Sequence, residues 1–499
     1  MRMKIVVASV LAALSCGVVA QAADKPVHDE FYWISQINKA SIVINSQQGL
    51  LDKADAVSIA KGLQKVLTDA QNGGKKPKTA LAFEPVLIKA SGPEASLIHA
   101  GRSSQDMHAT HRALIMYEDV LTLSDKLNQT TQTMWKLAER HKATLVPNYT
   151  NGVPALPNTY GHQLLGHIAG LLRDAERIQG LASRVDRCAM GTTVLNGSSW
   201  PLDRNRMCNF LGFSKLVENA YDASQISSME NPVELAGVVT AINLHIGHFI
   251  EDTMTQYAQT RPWILLQEGG ENTYASTAMP QKRNPGLMNN TRTAASTAIG
   301  LAQGNIFRAH NITPGMSDPK SVSENTQVVT ATINALNRLD KVLKALVVNP
   351  ERALEELNSD WTASQEVADR LMREYKLPFR VGHHVASEMV TYARQNNLTP
   401  LEFPYDQMKK IYAEVVAKEY PKGSTVLPMS EAEFKATIDP KTIIENRRTV
   451  GGPQPKEMEK MLKSAQEQLQ ANAKWAQAQR DRLSKAEAYL EKEFSKLLK

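Results

Sequence analysis

Apolar residues recur every three to four positions through residues 31–70, at Ile34, Ile37, Ile42, Ile44, Leu50, Leu51, Val57, Ile59, Leu63, Val66 and Leu67. That spacing predicts amphipathic helix rather than strand. Asn72-Gly73-Gly74-Lys75-Lys76-Pro77 breaks the pattern with turn chemistry, and residues 91–104 form a second patch rich in small and polar residues. Long helical patterns follow over 111–141, 159–181, 232–257, 288–310 and 324–348, while strand-like alternation is nearly absent. Long helices divided by polar loops predict an all-α protein built on an extended helical bundle.

Pro350 opens a unit of shorter helices, 351–375 and 381–395, which Val450-Gly451-Gly452-Pro453 ends. The last 44 residues, 456–499, lack both Gly and Pro. In them Leu462, Leu469, Ala476, Leu483, Leu490 and Leu497 recur at intervals of seven, but the second seam (Ala465, Asn472, Gln479, Ala486, Glu493) is mostly polar. A two-stranded coiled coil wants both seams apolar, so a single helix lying on a protein surface is expected. The chain thus divides into an N-terminal helical unit (23–112), a central bundle (113–349), a small C-terminal unit (350–454) and a helical extension (455–499).

A length of 499 residues fits two or three domains, and 42% hydrophobic with 22% charged residues is ordinary for a globular protein. The start changes the picture. Met1-Arg2-Met3-Lys4, an apolar run over 5–14 and Val19-Ala20-Gln21-Ala22 form a signal-peptide pattern, predicted to be cleaved after Ala22. The apolar run is too short for a permanent membrane anchor. Cys16 sits in a poor lipoprotein box, because Ala13 stands where leucine is usual. A soluble periplasmic protein is therefore expected, with no membrane attachment after cleavage. Removing Arg2 and Lys4 lowers the net charge from +6 to +4, and no dense Lys/Arg stripe marks a nucleic-acid surface. Cys188 and Cys208 are expected as buried free thiols.

The richest chemistry lies in Tyr274-Ala-Ser276-Thr-Ala-Met-Pro-Gln281-Lys282-Arg283-Asn284-Pro285. Two prolines disfavour helix, so a loop is predicted that feeds the helical pattern after it. Lys282, Arg283 and a helix N-terminus together make an anion site.

Ser276-Thr-Ala-Met-Pro-Gln-Lys-Arg-Asn-Pro285 resembles the signature loop of the fumarase/aspartase superfamily, Gly-Ser-Ser-x-Met-Pro-x-Lys-x-Asn-Pro, with Ala275 for Gly and Thr277 for the second Ser. His99-Ala-Gly-Arg-Ser-Ser-Gln-Asp106 is similar to a block of the argininosuccinate lyase branch, although its Ser-Gln-Asp ending is nearer to adenylosuccinate lyases and carboxymuconate cycloisomerases. Arg184–Gly191, Pro201–Arg204, Leu211–Phe213, Glu251-Asp252, Leu377–His383 and Arg447–Gly452 resemble further blocks of the branch. The likeness runs over nearly the whole chain after the leader.

The resemblance implies an all-helical, three-domain subunit in a homotetramer, each active site built from three subunits and needing no cofactor. It also implies a β-elimination that releases fumarate from a succinyl group. Such a site must take a proton from carbon beside a carboxylate and stabilise the dianion that forms. Ser276 matches the family's base; Lys282 and Asn284 match the groups that hold the developing carboxylate. Ser103, Ser104 and Gln105 match the loop that holds the substrate carboxylates, and Thr150 a further donor. Arg102, Asn151 and Gln281 join these as candidate substrate-binding residues, Arg102 equally as a loop holder through a buried contact.

Several positions depart from the family. Asn151 stands for its leaving-group His, Asn289 for the Glu that orients that His, and Val153 for a Gln. Asn cannot shuttle a proton near neutral pH. Pro314-Gly-Met-Ser-Asp-Pro-Lys320 replaces the Tyr-Asn-x-Asp-x-Gln segment that contacts the arginine end of argininosuccinate, so argininosuccinate itself is not the expected substrate. His108 and His111 are candidates to supply the lost acid. His162 and His167, five apart, do not share a helix face, and no metal site is expected. Three functions remain open: an exported lyase acting on an N-succinyl compound, a carboxymuconate-type cycloisomerase, and a non-catalytic dicarboxylate-binding or structural homologue.

Overall fold

The structure, a computed structural model, describes residues 27–499. The expected leader 1–22, with its cleavage point and Cys16, lies outside the described residues. The helices are α1 (Glu30–Gln47), α2 (Lys53–Gln71), α3 (Ala80–Ser91), α4 (Ser104–Arg140), α5 (Tyr160–Val185), α6 (Arg204–Leu211), α7 (Ser227–Tyr257), α8 (Gly286–Ala309) and α9 (Val322–Ala345). They continue as α10 (Pro350–Ser359), α11 (Ser364–Tyr375), α12 (Phe379–Gln395), α13 (Tyr405–Glu419), α14 (Glu431–Ile438), α15 (Pro440–Glu445) and α16 (Pro455–Ser495). The fold is all-α, as the hydrophobic spacing predicts.

The bundle is α4, α5, α7, α8 and α9, with α4 against α5 and α9, α7 against α5 and α8, and α8 against α9. Their buried faces carry the leucines, isoleucines and valines of the pattern, such as Leu114, Leu121, Ile168, Leu235, Ile242, Leu336 and Leu339. The longest, α4, starts earlier than the apolar pattern shows. Ser103 Oγ accepts the Gln105 N–H at 3.1 Å and Asp106 accepts the Ser103 N–H at 2.8 Å, a reciprocal cap that fixes the first turn. α4 then runs through the expected boundary at 112 without a break. One hydrophobic core extends from Phe31 to Phe494.

The second core begins at Trp361 and ends at Ile443. Ala353 of α10 belongs to the first core, so the helix opened by Pro350 stays with the bundle. Short strands pair locally: β1 (Leu145–Thr150) with β2 (Val153–Thr159), β3 (Arg187–Cys188) with β4 (Lys215–Leu216), β5 (Ile264–Leu266) with β8 (Leu346–Val348), and β6 (Tyr274–Ala275) with β7 (Arg283–Asn284). The β1–β2 hairpin goes beyond the helical reading of the chain. Its turn, Asn151-Gly152, has φ of +53° and +78°, the left-handed pair that an Asn-Gly hairpin turn requires.

α16 lies as one helix along α1, α4, α5 and α6. Leu462, Leu469, Ala476 and Leu490 are buried beneath it. Its polar second seam is bonded to the body, Asn472 Oδ1 accepting from Gln179 at 2.9 Å and Gln479 Oε1 from Tyr117 at 3.0 Å. Phe494 is fully buried with the Lys39 ammonium 5.2 Å from its ring centre. Phe494→Ala is expected to cost about 3–5 kcal/mol in urea unfolding at fixed protein concentration. A cost below about 1 kcal/mol would mean that the end of α16 is peripheral.

Candidate active site

The Ser276 loop closes on itself. Tyr274 pairs with Asn284 and Ala275 with Arg283, and the Ser276 N–H donates to the Lys282 carbonyl at 3.3 Å. Ser276 Oγ in turn accepts the Ala278 N–H at 3.3 Å and the Met279 N–H at 3.1 Å. Two amide dipoles therefore converge on the oxygen for which the family resemblance implies a base role, and they favour its anionic form. Arg283 braces the loop by donating to the Pro280 carbonyl at 2.8 Å and pairing with Glu268 at 3.2 Å. Lys282 and Gln281 are exposed, and among the described residues neither side chain has a partner. Asn284 Nδ2 donates to the Tyr274 carbonyl at 3.4 Å, a long contact. Gly286 then opens α8 as the loop chemistry predicts, and a Cβ there would lie 2.9 Å from the Tyr274 ring.

A second group surrounds the start of α4. Ser103 Oγ donates to the Thr193 carbonyl at 2.8 Å, while Asp106 accepts the N–H groups of Gly191 at 2.9 Å and Thr193 at 3.1 Å. Burial pushes the Asp106 carboxyl up to about 6 although three N–H donors hold it. Thr193 has a φ of +59°, uncommon for a β-branched residue, so this buried carboxylate fixes a strained turn beside Ser103. Ser104 and Gln105 remain half-buried, and the Gln105 amide has no partner among the described residues. Arg102 is turned inward, its Nη1 donating to Asn38 at 2.8 Å and Ser41 at 3.3 Å, with burial lowering its pKa to about 10. It holds the loop, the second of the two roles open to it. Beside it, Asn38, Phe83, Glu84, His99, Ser103 and Ser104 line a cavity of about 230 Å³.

The third group is the β1–β2 tip. Thr150 is exposed there, while Tyr149 turns inward to donate to Glu356 and accept from Trp263 Nε1 at 3.3 Å. Asn151 satisfies a left-handed turn that asparagine tolerates better than most side chains, which gives it a local reason beyond any ligand. Asn289 lies in the first turn of α8, its N–H bonded to the Pro285 carbonyl at 3.1 Å. Among the described residues no hydrogen bond or ion pair joins one of the three groups to another.

The histidines settle differently from the acid role offered for them. His108 Nε2 accepts the Ala80 N–H at 3.3 Å, and burial, then the Arg112 charge, lowers its pKa to about 4. His111 is buried with neither ring nitrogen partnered among the described residues, and burial holds it well below its ordinary value. Both are neutral at pH 7 and neither is a ready proton donor. Since unfolding frees His111 to bind a proton, its contribution to stability is complete above pH 6.5 and is lost as pH falls below it. His111→Leu should therefore gain thermal stability relative to the wild type as pH drops from 7 to 5, read by melting scans. A constant difference across that range would contradict the burial argument. His162 Nε2 meets the Gly451 carbonyl at 2.8 Å and His167 pairs with Asp252 at 3.0 Å. No group of three metal-ligating side chains is present among the described residues. Cys188 and Cys208 are buried free thiols, raised to about 11 in Cys208 by burial.

The chain matches a family model described as Lyase over residues 36–300, and a second, described as Argininosuccinate lyase C-terminal, over 361–445. It is 29% identical over 454 residues to the argininosuccinate lyase of Methanosarcina barkeri, covering 87% of each chain. With that of Methanocaldococcus jannaschii it shares 26% over 464 residues, 90% of this chain and 91% of the other. A solved EDDS lyase variant with bound fumarate superposes with a TM-score of 0.83 at 22% identity, over 94% of this chain and 92% of that one. The 3-carboxy-cis,cis-muconate lactonizing enzyme of Pseudomonas putida follows at 0.63 and 17%, over 89% and 95%. With a bundle of this architecture and a lyase model matched over more than half its length, the chain belongs to the lyase family of the fumarase/aspartase superfamily, on its argininosuccinate lyase-like branch.

Proposed function

We propose that the protein is a C–N lyase that eliminates fumarate from an N-succinyl compound, an N-substituted aspartate or an argininosuccinate-like substrate. The observation that carries this reading is the pair of amide N–H groups on Ser276 Oγ, with a Lys282 ammonium in the same loop that has no partner among the described residues. Ser276 Oγ takes a proton from the carbon beside a carboxylate. The electron pair moves into that carboxylate, where Lys282 and Asn284 meet the added charge. The carbon–nitrogen bond then breaks and the pair leaves on nitrogen. Ser103, Ser104, Gln105, Thr150 and Gln281 supply donors to the substrate carboxylates, with Asn151 beside them. An N-alkyl aspartate is an ammonium at neutral pH, so its nitrogen departs as a neutral amine without a proton donor at the Asn151 position. This fits the absence of histidine there.

That no hydrogen bond or ion pair joins the three groups among the described residues fits a site completed by other copies, in a homotetramer. Leu244 on α7 and Ile306 and Phe307 on α8 stand exposed, apolar surface for such an assembly. The signal-peptide pattern expected at 1–22 is the basis for placing its action in the periplasm.

The assay follows fumarate by its absorbance with a panel of N-substituted aspartates, and lactone formation from carboxymuconate in parallel. Fumarate from at least one N-substituted aspartate is the expected result. Ring closure without fumarate would favour the cycloisomerase reading, which the Ser104-Gln105-Asp106 block at the start of α4 motivates. Neither product from a folded tetramer would favour a non-catalytic homologue.

A further inference from the structure

Half-buried positions on α4 fall at Gln105, His108 and Arg112, spaced so that all three lie on one helix face. Arg112 is about 10 Å along the axis from Gln105, two turns beyond the end that meets substrate carboxylates. Its guanidinium has no hydrogen bond or ion pair among the described residues. Lys320 is 4% exposed, and among the described residues its ammonium donates only to the Ser224 carbonyl, at 3.2 Å. Ser224 lies in a π-helical turn, Asp222–Ile226, that packs against α4 and leads into α7. The neighbouring Gln225 Oε1 accepts the Gly315 N–H at 2.6 Å, which ties the 314–320 segment to the same turn. The His111 ring lies 5.3 Å from that of His108, both its nitrogens bare.

The carboxylates nearest in sequence are committed elsewhere. Asp106 holds three N–H groups, Asp119 accepts from Thr326 at 2.7 Å, Glu324 pairs with Arg308 at 3.3 Å, and Asp318 faces solvent. Burial, then the charge of Arg112, lowers the Lys320 pKa to about 8, and among the described residues no carboxylate is paired with either group. A buried and a half-buried cation side by side with no counter-charge among the described residues are costly, and an anionic ligand lowers the cost.

The geometry points to Arg112 and Lys320 as the leaving-group end of the substrate pocket, binding an amine that itself carries a carboxylate or phosphate. This rests on the lyase reading, in which the Gln105 end of the same face holds the succinyl carboxylates. A guanidino leaving group would bring a third cation to this place and is disfavoured.

The test compares kcat/KM for N-substituted aspartates of equal length whose far end is a carboxylate, a phosphate, an uncharged amide or a guanidinium. The wild type should prefer an anionic end over the amide by about 10- to 100-fold, the worth of charge-assisted hydrogen bonds. Arg112→Met and Lys320→Met should each lower that ratio, and Arg112→Lys should restore part of it. A preference for the amide or guanidinium, or an equal loss on all substrates in the variants, would overturn the assignment. Calorimetric titration with inorganic phosphate reads the cation pair without turnover. If no substrate releases fumarate but phosphate binds the wild type and not Arg112→Met, the lyase reading fails and the anion site stands. If phosphate does not bind and Arg112→Met weakens the oligomer, Arg112 pairs with a carboxylate of a second copy and the proposal is wrong.

Discussion

Ser276→Ala should lower the rate of fumarate release by about 10²- to 10⁴-fold, the usual worth of a positioned base. A serine hydroxyl is a poor base when free, so its effect depends on what stabilises its alkoxide. In this loop the Ala278 and Met279 N–H groups already aim at Oγ, at 3.3 and 3.1 Å. The alanine variant leaves those donors in place with nothing to receive the substrate proton. The half-buried Ser276 caps a loop whose residues are otherwise mostly exposed, so the melting temperature should hardly move. Because the lost interaction belongs to the transition state, kcat should fall and KM change little. A variant that keeps more than about a tenth of the wild-type kcat would remove Ser276 from the base role.

Lys282→Met should lower kcat/KM by about 10²- to 10³-fold, the scale for removing one preorganised donor to a developing oxyanion. Lys282 is suited to that role as an exposed ammonium with no partner among the described residues, six residues from Ser276 on a hairpin pinned by Arg283. A methionine keeps the stem and loses the charge. Here both kcat and KM should worsen, since a substrate carboxylate carries charge before as well as during reaction. Lys282→Arg should recover only part of the activity, because a planar fork does not replace a compact point charge. Equal activity in wild type and Lys282→Met, measured at saturating and limiting substrate, would show that the dianion is held by other groups.

How much of this was legible in the chain depended on the range over which each signal acts. The long helices show in the recurrence of apolar residues, and the Ser276 loop in a contiguous block of chemistry. The surface placement of α16 was legible because a polar second seam forbids a two-stranded coil. The β1–β2 hairpin was missed, since Pro147, Pro154 and Pro157 interrupt its alternation, although Asn151-Gly152 is a strong turn signal. The cap at Ser103-x-x-Asp106 was also readable and would have moved the start of α4 to Ser104. Nothing local marks Asp106 as the group that binds the 191–193 turn, because its partners are over eighty residues away. Arg112 and Lys320 look like ordinary surface cations in one dimension. Their lack of a counter-charge among the described residues is a property of the packed structure alone. The same holds for Arg102, whose role as loop holder depends on Asn38 and Ser41.

The central claim is that Ser276 moves a proton to and from the carbon beside a substrate carboxylate. Addition of an amine to fumarate, run in deuterium oxide and followed by NMR, tests it most directly. The wild type should form an N-substituted aspartate with one deuterium, placed stereospecifically on the carbon next to the new carbon–nitrogen bond. Ser276→Ala, folded and still binding fumarate, should form none at the wild-type rate. Product with deuterium scrambled over both positions, or stereospecific product formed equally fast by Ser276→Ala, would contradict the account.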